Sequence, residues 1–221
     1  MKKLNFIIKY GLALLLLSFY SCESWLNVTP SDRLSEEMLF NDREGFVKAL
    51  NGVYIELNTN ELYGRNLTAG ALDVMGQYYS VASSSHAFYN YGGLVYTGND
   101  EKALFDNMWQ KCYAVIACCN TIIEKCDENK AGLSPVWKGS IKGEALALRA
   151  MLHFDMLRLF GPLTSELDKE SIPYQTNSDQ TVTPLLSGSE VIGLILDDLK
   201  NAVGLLKDTD PYLDRKSTRL N

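Results

Sequence analysis

The sequence predicts an all-α protein in which long helices are joined by irregular loops. In four stretches the apolar residues recur with the 3.6-residue period of an amphipathic helix. The connections between these stretches are rich in glycine, proline and tyrosine, which favour turns and loops. The 221 residues are 46% hydrophobic and 22% charged, a typical globular composition that excludes disordered, collagen-like and coiled-coil classes. This length fits one large domain or two small ones.

The first helix is predicted over residues 35–58. Ser35 is a favourable N-cap, Glu36 and Glu37 place acids in the first turn, and an apolar stripe follows. Residues 59–98 lose this period and become rich in glycine, serine, asparagine and tyrosine. Because long ordered loops are often functional, this segment is predicted to contain a functional site.

Three further helices are predicted. The second begins at Asn99 and ends before the polar run 127–130. The third spans 135–160 and stops at Gly161, which precedes a proline. Its apolar residues form two stripes, Ile141, Ala145, Leu148, Leu152, Met156 and Leu159 in one, and Leu146, Ala150, Phe154 and Leu157 in the other. Two stripes indicate a helix packed on two sides.

The fourth helix is predicted to open at Ser189 and Glu190 and to continue to Leu206. The loop before it, 163–186, contains short extended pieces at 172–174 and 181–184. Taken together, the four helices predict layered antiparallel pairs.

Residues 1–21 have the features of a secretory signal, with a basic start, an apolar centre and a small residue at the end. The apolar centre is too short for a stable membrane span. Cys22 follows directly, as in bacterial lipoproteins, where this thiol is acylated. The alternative is a simple secreted protein with a free Cys22. Residues 22–34 are predicted to form a tether.

The other four cysteines are Cys112, Cys118, Cys119 and Cys126, all within the second predicted helix. Cys112, Cys119 and Cys126 are spaced seven residues apart. A seven-residue step along a helix is roughly 10 Å, too long for a disulfide, whose Cα atoms lie within about 7 Å. The same spacing does not gather ligands around one metal ion. These residues are therefore predicted to be buried, as small apolar core residues.

The charge and the motifs argue against two functional classes. The formal net charge is −6, and three of the 21 cations lie in the leader. Such an acidic body repels phosphate backbones, so no nucleic acid partner is expected. Known catalytic motifs are lacking, and no metal or cofactor is expected. His86 lies beside three serines without a third triad member, His153 is predicted to be a partly buried structural residue, and Asp197–Asp198 to lie on a solvated face.

The segment 76–98 interleaves aromatic residues with asparagine, serine and glycine. Aromatic rings offer flat apolar faces, and asparagine offers donors and an acceptor to hydroxyl-rich ligands. This pattern favours a neutral sugar. The candidate ligand-binding residues are Tyr78, Tyr89, Asn90, Tyr91 and Tyr96. The alternative is that the aromatic residues only hold a long loop against the helices.

Three strings in particular resemble the SusD/RagB family of outer-membrane nutrient-binding lipoproteins. Residues 22–30, CESWLNVTP, are similar to the start of that family after its lipidated cysteine. Residues 49–54, ALNGVY, resemble its first-helix motif. Residues 143–161, GEALALRAMLHFDMLRLFG, resemble its most recognisable helix. Weaker similarities around Trp109 and around Asp197–Asp198 follow in the family's order.

The resemblance implies tetratricopeptide-like helix pairs and a non-catalytic lipoprotein, anchored by Cys22 in the outer membrane and exposed at the cell surface. Such a protein captures oligosaccharides for import through a SusC-like TonB-dependent transporter. Family members are longer, so 35–212 is expected to be a truncated N-terminal helical domain. Residues 213–221 are expected to be a non-native tail, because 215–221 carry three cations, no acid and no helical stripe. A structural or interaction lipoprotein, or a peptide-binding member of the family, remains the alternative.

Overall fold

The computed structural model describes residues 36–179, 181–206 and Pro211. The predicted signal peptide, Cys22, the tether, Ser35 and the tail after 212 lie outside the described residues. The elements are α1 (Glu36–Leu39), α2 (Arg43–Leu57), α3 (Ala71–Met75), α4 (Tyr89–Gly92), α5 (Asn99–Glu128), α6 (Pro135–Phe160), a 3₁₀ helix (Thr164–Glu166), β1 (Glu170–Pro173), β2 (Leu185–Ser187) and α7 (Gly188–Leu205). Long helices dominate, and the predicted all-α class is confirmed.

The first predicted helix is divided into two, which corrects the prediction of one continuous helix over 35–58. Asp42 interrupts it as the N-cap of α2, and its carboxylate accepts a 2.8 Å hydrogen bond from the backbone N–H of Gly45. The chain folds back so closely that a Cβ on Gly45 would lie 1.5 Å from the carbonyl oxygen of Leu39. Only glycine fits at this position without a shift of the backbone.

The second and third predicted helices are confirmed as α5 and α6. Ser134 caps α6, and Pro135 occupies its first position, where the missing N–H costs nothing. Gly161 ends α6 as predicted. A Cβ at Gly161 would lie 2.4 Å from the carbonyl oxygen of Leu157, so close packing explains the glycine.

The fourth predicted helix is α7, but it begins earlier than the sequence indicated. Its N-cap is Ser187, whose hydroxyl accepts a hydrogen bond from the backbone N–H of Glu190, while the Glu190 carboxylate accepts from the backbone N–H of Ser187. Ser189 therefore lies inside the helix. Because Ser187 and Glu190 cap each other reciprocally, Ser187 is the N-cap, although Ser189 is the serine directly before the acid.

A two-stranded antiparallel sheet precedes α7. Glu170 pairs with Ser187, and Pro173 pairs with Leu185. The extended piece predicted at 172–174 overlaps β1, whereas the one predicted at 181–184 lies just before β2. The pairing with β1 places the second strand next to the start of α7.

α6 is the central helix, and it contacts α7, α5 and α2. The first predicted stripe faces the core, where Ile141, Ala145, Leu152 and Met156 are fully buried. In the second stripe Phe154 is 47% exposed, which corrects its assignment to the core. The guanidinium of Arg158 lies 5.7 Å from its ring centroid. The remaining second-stripe residues Leu146, Ala150 and Leu157 are buried.

Three of the four cysteines of α5 are buried as predicted, namely Cys112, Cys119 and Cys126. Cys118 is exposed, which corrects its assignment as a core residue. Adjacent positions on a helix are about 100° apart, so Cys118 cannot share the face of Cys119. All four thiols are free.

Candidate functional site

The irregular segment before α5 is held against the helices by edge-to-face aromatic contacts. The ring of Tyr91 lies 5.8 Å from that of Phe88 and 6.0 Å from that of Phe105 on α5. The ring of Phe105 in turn lies 6.3 Å from that of Phe160 at the end of α6. Such pairs add specific stabilisation to the buried area, so the loop has a defined conformation.

Hydrogen bonds join the two arms of this loop, which are residues 77–81 and residues 89–95. Gln77 follows Gly76, the C-cap of α3, and adopts a left-handed backbone conformation with φ of 62°. Its side-chain Nε2 donates to the carbonyl oxygen of Gly92 at 2.8 Å. The side-chain Nδ2 of Asn90 donates to Oε1 of Glu101 on α5 at 2.7 Å. These bonds fix α4 relative to both α3 and α5.

An open groove of about 380 Å³ lies between the two arms. Its lining residues are Gln77, Tyr79, Ser80, Val81, Tyr89, Asn90, Gly92, Gly93 and Val95. Tyr79 and Tyr89 are 56% and 43% exposed, so part of each aromatic side chain is accessible. Aromatic faces, amides and hydroxyls together suit a neutral ligand with apolar C–H faces and many hydroxyl groups.

Two of the five predicted ligand-binding residues, Tyr89 and Asn90, line this groove. Tyr91 does not, because it is only 3% exposed and its hydroxyl donates to the carbonyl oxygen of Asp100 at 3.4 Å. Burial raises the pKa of Tyr91. Its assignment as a sugar platform is corrected to a core contact, because its ring is buried and packs on Phe105.

Tyr78 and Tyr96 are exposed but are not part of the groove lining. The ring of Tyr96 packs edge-on against Phe105 at 5.5 Å, and this partial burial raises the pKa of its hydroxyl. Tyr79, and not Tyr78, lines the groove. Two adjacent tyrosines in an irregular segment give no local period, so no sequence signal distinguishes which of them faces the groove.

His86 has a structural role in the same segment. Its Nδ1 accepts a 3.1 Å hydrogen bond from the backbone N–H of Phe88. The hydroxyls of Ser83 and Ser85 lie 2.9 Å apart and bond to each other. These contacts stabilise a turn and do not form a nucleophile–base pair.

A buried polar cluster lies between α6 and α7, around Arg149 and Asp198. Arg149 forms two hydrogen bonds with the carboxylate of Asp198, which also accepts a 2.6 Å hydrogen bond from the hydroxyl of Tyr174. Asp198 is buried, which corrects the expectation that Asp197–Asp198 form a solvated face. Asp197 is exposed, so the two carboxylates do point apart. Sequence reasoning missed the pair because its members are 49 residues apart.

The same cluster fixes the segment that follows β1. Asn120 accepts a hydrogen bond from Arg149 and donates to the carbonyl oxygens of Gln175 and Asn177. Nε2 of His153 accepts from the backbone N–H of Gln175 at 3.0 Å, so Nδ1 bears the hydrogen and donates to the carbonyl oxygen of Arg149. Burial lowers the pKa of His153 to about 4. His153 is thus a structural residue as predicted, and it is fully buried.

A larger cleft, of about 650 Å³, lies beside this cluster. Its charged side chains are already paired, Arg149 with Asp198, Lys142 with Asp127 and Lys200 with Asp197. Its lining contains no aromatic residue. For a neutral sugar, which stacks on aromatic rings, the smaller groove is the better candidate.

The described part of the chain contains neither a membrane-spanning helix nor a cluster of metal-ligating side chains. Among the helices described there, none is both long and apolar enough to cross a bilayer. No three His, Cys, Asp or Glu side chains within the described ranges come together in a way that could hold a metal ion.

Comparison with known proteins places these features in a family context. The SusD-like family model, described as starch-binding and associating with the outer membrane, matches residues 24–219. SusD-like protein P38 of Formosa agariphila is 27% identical over 199 residues, covering 82% of this chain and 34% of its own length. A SusD-like protein of Bacteroides ovatus is 30% identical over 110 residues, covering 48% of this chain and 19% of its own length.

The fold is similar to that of a SusD superfamily protein from Bacteroides thetaiotaomicron. The TM-score is 0.59 at 20% sequence identity, and the match covers 75% of this chain and 38% of that protein. The similarity supports the predicted tetratricopeptide-like arrangement of helix pairs. The chain spans about a third of the length of the relative from Formosa agariphila.

Proposed function

This chain belongs to the SusD-like family, described as starch-binding and associating with the outer membrane, and on that premise we propose that it binds oligosaccharides. In this proposal the protein is a non-catalytic binding protein of the bacterial surface. It retains glycans at the cell so that they can be imported. The groove between the two arms of the loop before α5 is the proposed contact surface.

The observation that carries the proposal is the composition and exposure of this groove. Tyr79 and Tyr89 expose aromatic surface on which the C–H face of a sugar ring can stack. Asn90 lies beside them and supplies amide groups for sugar hydroxyls. The aromatic contacts of Tyr91 hold the loop in place, so the groove is formed before ligand arrives. In this proposal Tyr79 and Tyr89 stack on the ligand, whereas Tyr91 holds the loop against α5.

The cellular setting of the proposal rests on the sequence and the family. Cys22 is the proposed site of acylation, which would hold the protein at the outer membrane. A SusC-like TonB-dependent transporter is the proposed partner that receives the glycan. Since longer relatives carry additional sequence, the groove is proposed as one part of the whole ligand surface.

Affinity electrophoresis in gels containing soluble starch, together with calorimetry with maltoheptaose, tests the proposal. The wild-type chain is expected to be retarded by starch. Tyr89→Ala should weaken maltoheptaose binding by about 1 to 3 kcal/mol, the range known for stacking on nucleic acid bases, or roughly 5- to 150-fold. Tyr78→Ala is the matched control, since Tyr78 is exposed outside the groove, and should bind like wild type.

Equal losses in Tyr78→Ala and Tyr89→Ala would contradict the assignment of the groove. A wild-type chain that is retarded neither by starch nor by any member of a broad polysaccharide panel would contradict glycan binding itself. In that case a peptide library would test the peptide-binding alternative, and an absence of binding there would leave a structural or interaction lipoprotein.

A further inference from the structure

Asn90 is connected to a side chain that does not line the groove. Its Nδ2 donates to Oε1 of Glu101 at 2.7 Å. Glu101 belongs to the first turn of α5 and is only 6% exposed. An Asn amide has two N–H hydrogens and one acceptor oxygen, whereas a carboxylate only accepts. The amide can therefore meet Glu101 only with its nitrogen.

The backbone leaves a place for this carboxylate. A Cβ on Gly98, the N-cap of α5, would lie 1.9 Å from Oε2 of Glu101. Gly98 has φ of −77°, which any residue adopts, so space rather than backbone conformation explains the glycine. The hydrogen bond from Asn90 and a backbone hydrogen bond lower the pKa of Glu101. The carboxylate is thus ionised at neutral pH and remains an acceptor.

We infer that Glu101 is a positioning residue that fixes the orientation of the Asn90 amide in the groove. With Nδ2 committed to Glu101, Oδ1 and the second hydrogen of Nδ2 are the groups available to a ligand. A ligand group that meets Oδ1 must donate a hydrogen bond. The hydroxyl of a neutral sugar satisfies this requirement, and the carboxylate of a uronic acid does not. This inference about ligand chemistry rests on the proposed function.

The orientation can be tested without a ligand, by NMR of the Asn90 side-chain amide in the purified full chain. The signals are assigned through their loss in Asn90→Asp. Glu101→Ala should shift both amide hydrogens, because the bonded hydrogen loses its acceptor. Gly98→Ala should produce the same shift with Glu101 still present, because the added methyl group displaces the carboxylate. Glu101→Gln keeps an acceptor oxygen and should restore the wild-type signals.

Affinity for maltoheptaose tests the effect on binding through a double-mutant cycle of Asn90→Ala and Glu101→Ala. A neutral hydrogen bond, such as one from a sugar hydroxyl to Oδ1 of Asn90, contributes about 0.5 to 1.5 kcal/mol. Because Glu101→Ala releases the orientation of this amide, it should weaken binding roughly two- to tenfold. In the Asn90→Ala background it should have no further effect. Glu101→Gln should bind like wild type, a rescue that a merely structural role for the charge would not show.

Two results would overturn the inference. Asn90 amide signals that are unchanged in Glu101→Ala would show that Glu101 does not orient the amide. An equal loss of affinity from Glu101→Ala with and without Asn90 would show that it does not act through Asn90. A wild-type chain that binds no glycan would refute the proposed function instead, and the NMR signals would still decide whether Glu101 orients Asn90.

Discussion

Arg149 on α6 and Asp198 on α7 form a bidentate ion pair in which Nε and Nη2 donate to the two carboxylate oxygens, each at 2.7 Å. Both side chains are buried. The pair is the centre of the cluster that joins the two helices to the segment after β1. A paired carboxylate and guanidinium can be buried because each satisfies the hydrogen bonds of the other.

Removal of Asp198 should therefore be costly. Asp198→Ala leaves the Arg149 charge buried without its partner, and we expect a loss of about 3 to 5 kcal/mol in the free energy of unfolding. Asp197→Ala is the matched control, one residue away and exposed, and should change stability by less than about 0.5 kcal/mol. Urea denaturation at pH 7 measures both. Similar midpoints for the two variants would contradict the role of the pair.

Stability should also fall at mildly acidic pH because of His153. Its pKa is about 4 in the folded protein and about 6.5 when unfolded, so the unfolded chain binds more protons as pH falls below 6.5. Between pH 7.5 and pH 5 this costs about 2 kcal/mol, and the loss levels off below pH 4. Urea denaturation across this range measures the slope. In His153→Gln that part of the slope should disappear, and an unchanged slope would show that other groups cause it.

Leu152 tests the core stripe of α6. It is fully buried, so Leu152→Ala should cost about 2 to 5 kcal/mol through lost apolar burial and a cavity. Met151 is its neighbour and is 37% exposed, so Met151→Ala should cost much less. Thermal melting of both variants checks the difference. Equal melting temperatures would show that this face of α6 is peripheral.

Tyr91 and Tyr89 are two residues apart, but their replacement by alanine should affect stability very differently. Tyr91→Ala removes a buried ring and should cost about 3 to 5 kcal/mol of stability, by analogy with other aromatic truncations. Tyr89→Ala should melt close to wild type, because its side chain is partly solvated in the groove. Circular dichroism melts provide the comparison. An early melt for Tyr89→Ala would indicate that it holds the loop rather than a ligand.

Cys22→Ser tests the proposed lipid anchor. A single acyl chain contributes only marginal membrane binding, whereas several chains on one residue hold a protein firmly. Loss of the thiol should therefore move the protein from the membrane fraction to the soluble fraction. Cys118→Ser, which alters an exposed thiol within α5, is the control and should remain with the membranes. Sedimentation of Cys22→Ser with the membranes would contradict acylation at this residue.

The sequence determined the elements whose signals are local. Helical periodicity and end residues located α5 and α6, and Gly161 marked a helix end correctly, because caps and stripes depend on residues a few positions apart. The family resemblance read from residues 22–30, 49–54 and 143–161 is confirmed by the family match. The break before α2 was missed, since it depends on how closely Gly45 approaches Leu39.

Tertiary structure alone decided which side chains are buried and which residues meet. Asp198 is buried because Arg149 lies opposite, and Tyr91 is buried because Phe105 packs against it. Tyr79 rather than Tyr78 lines the groove, which forms where the bond from Gln77 to Gly92 brings the two arms of the loop together. These contacts join residues far apart in sequence or in an irregular loop. The periodicity of a segment indicates which of its own faces is apolar. It does not identify the residues elsewhere in the chain that pack against that face.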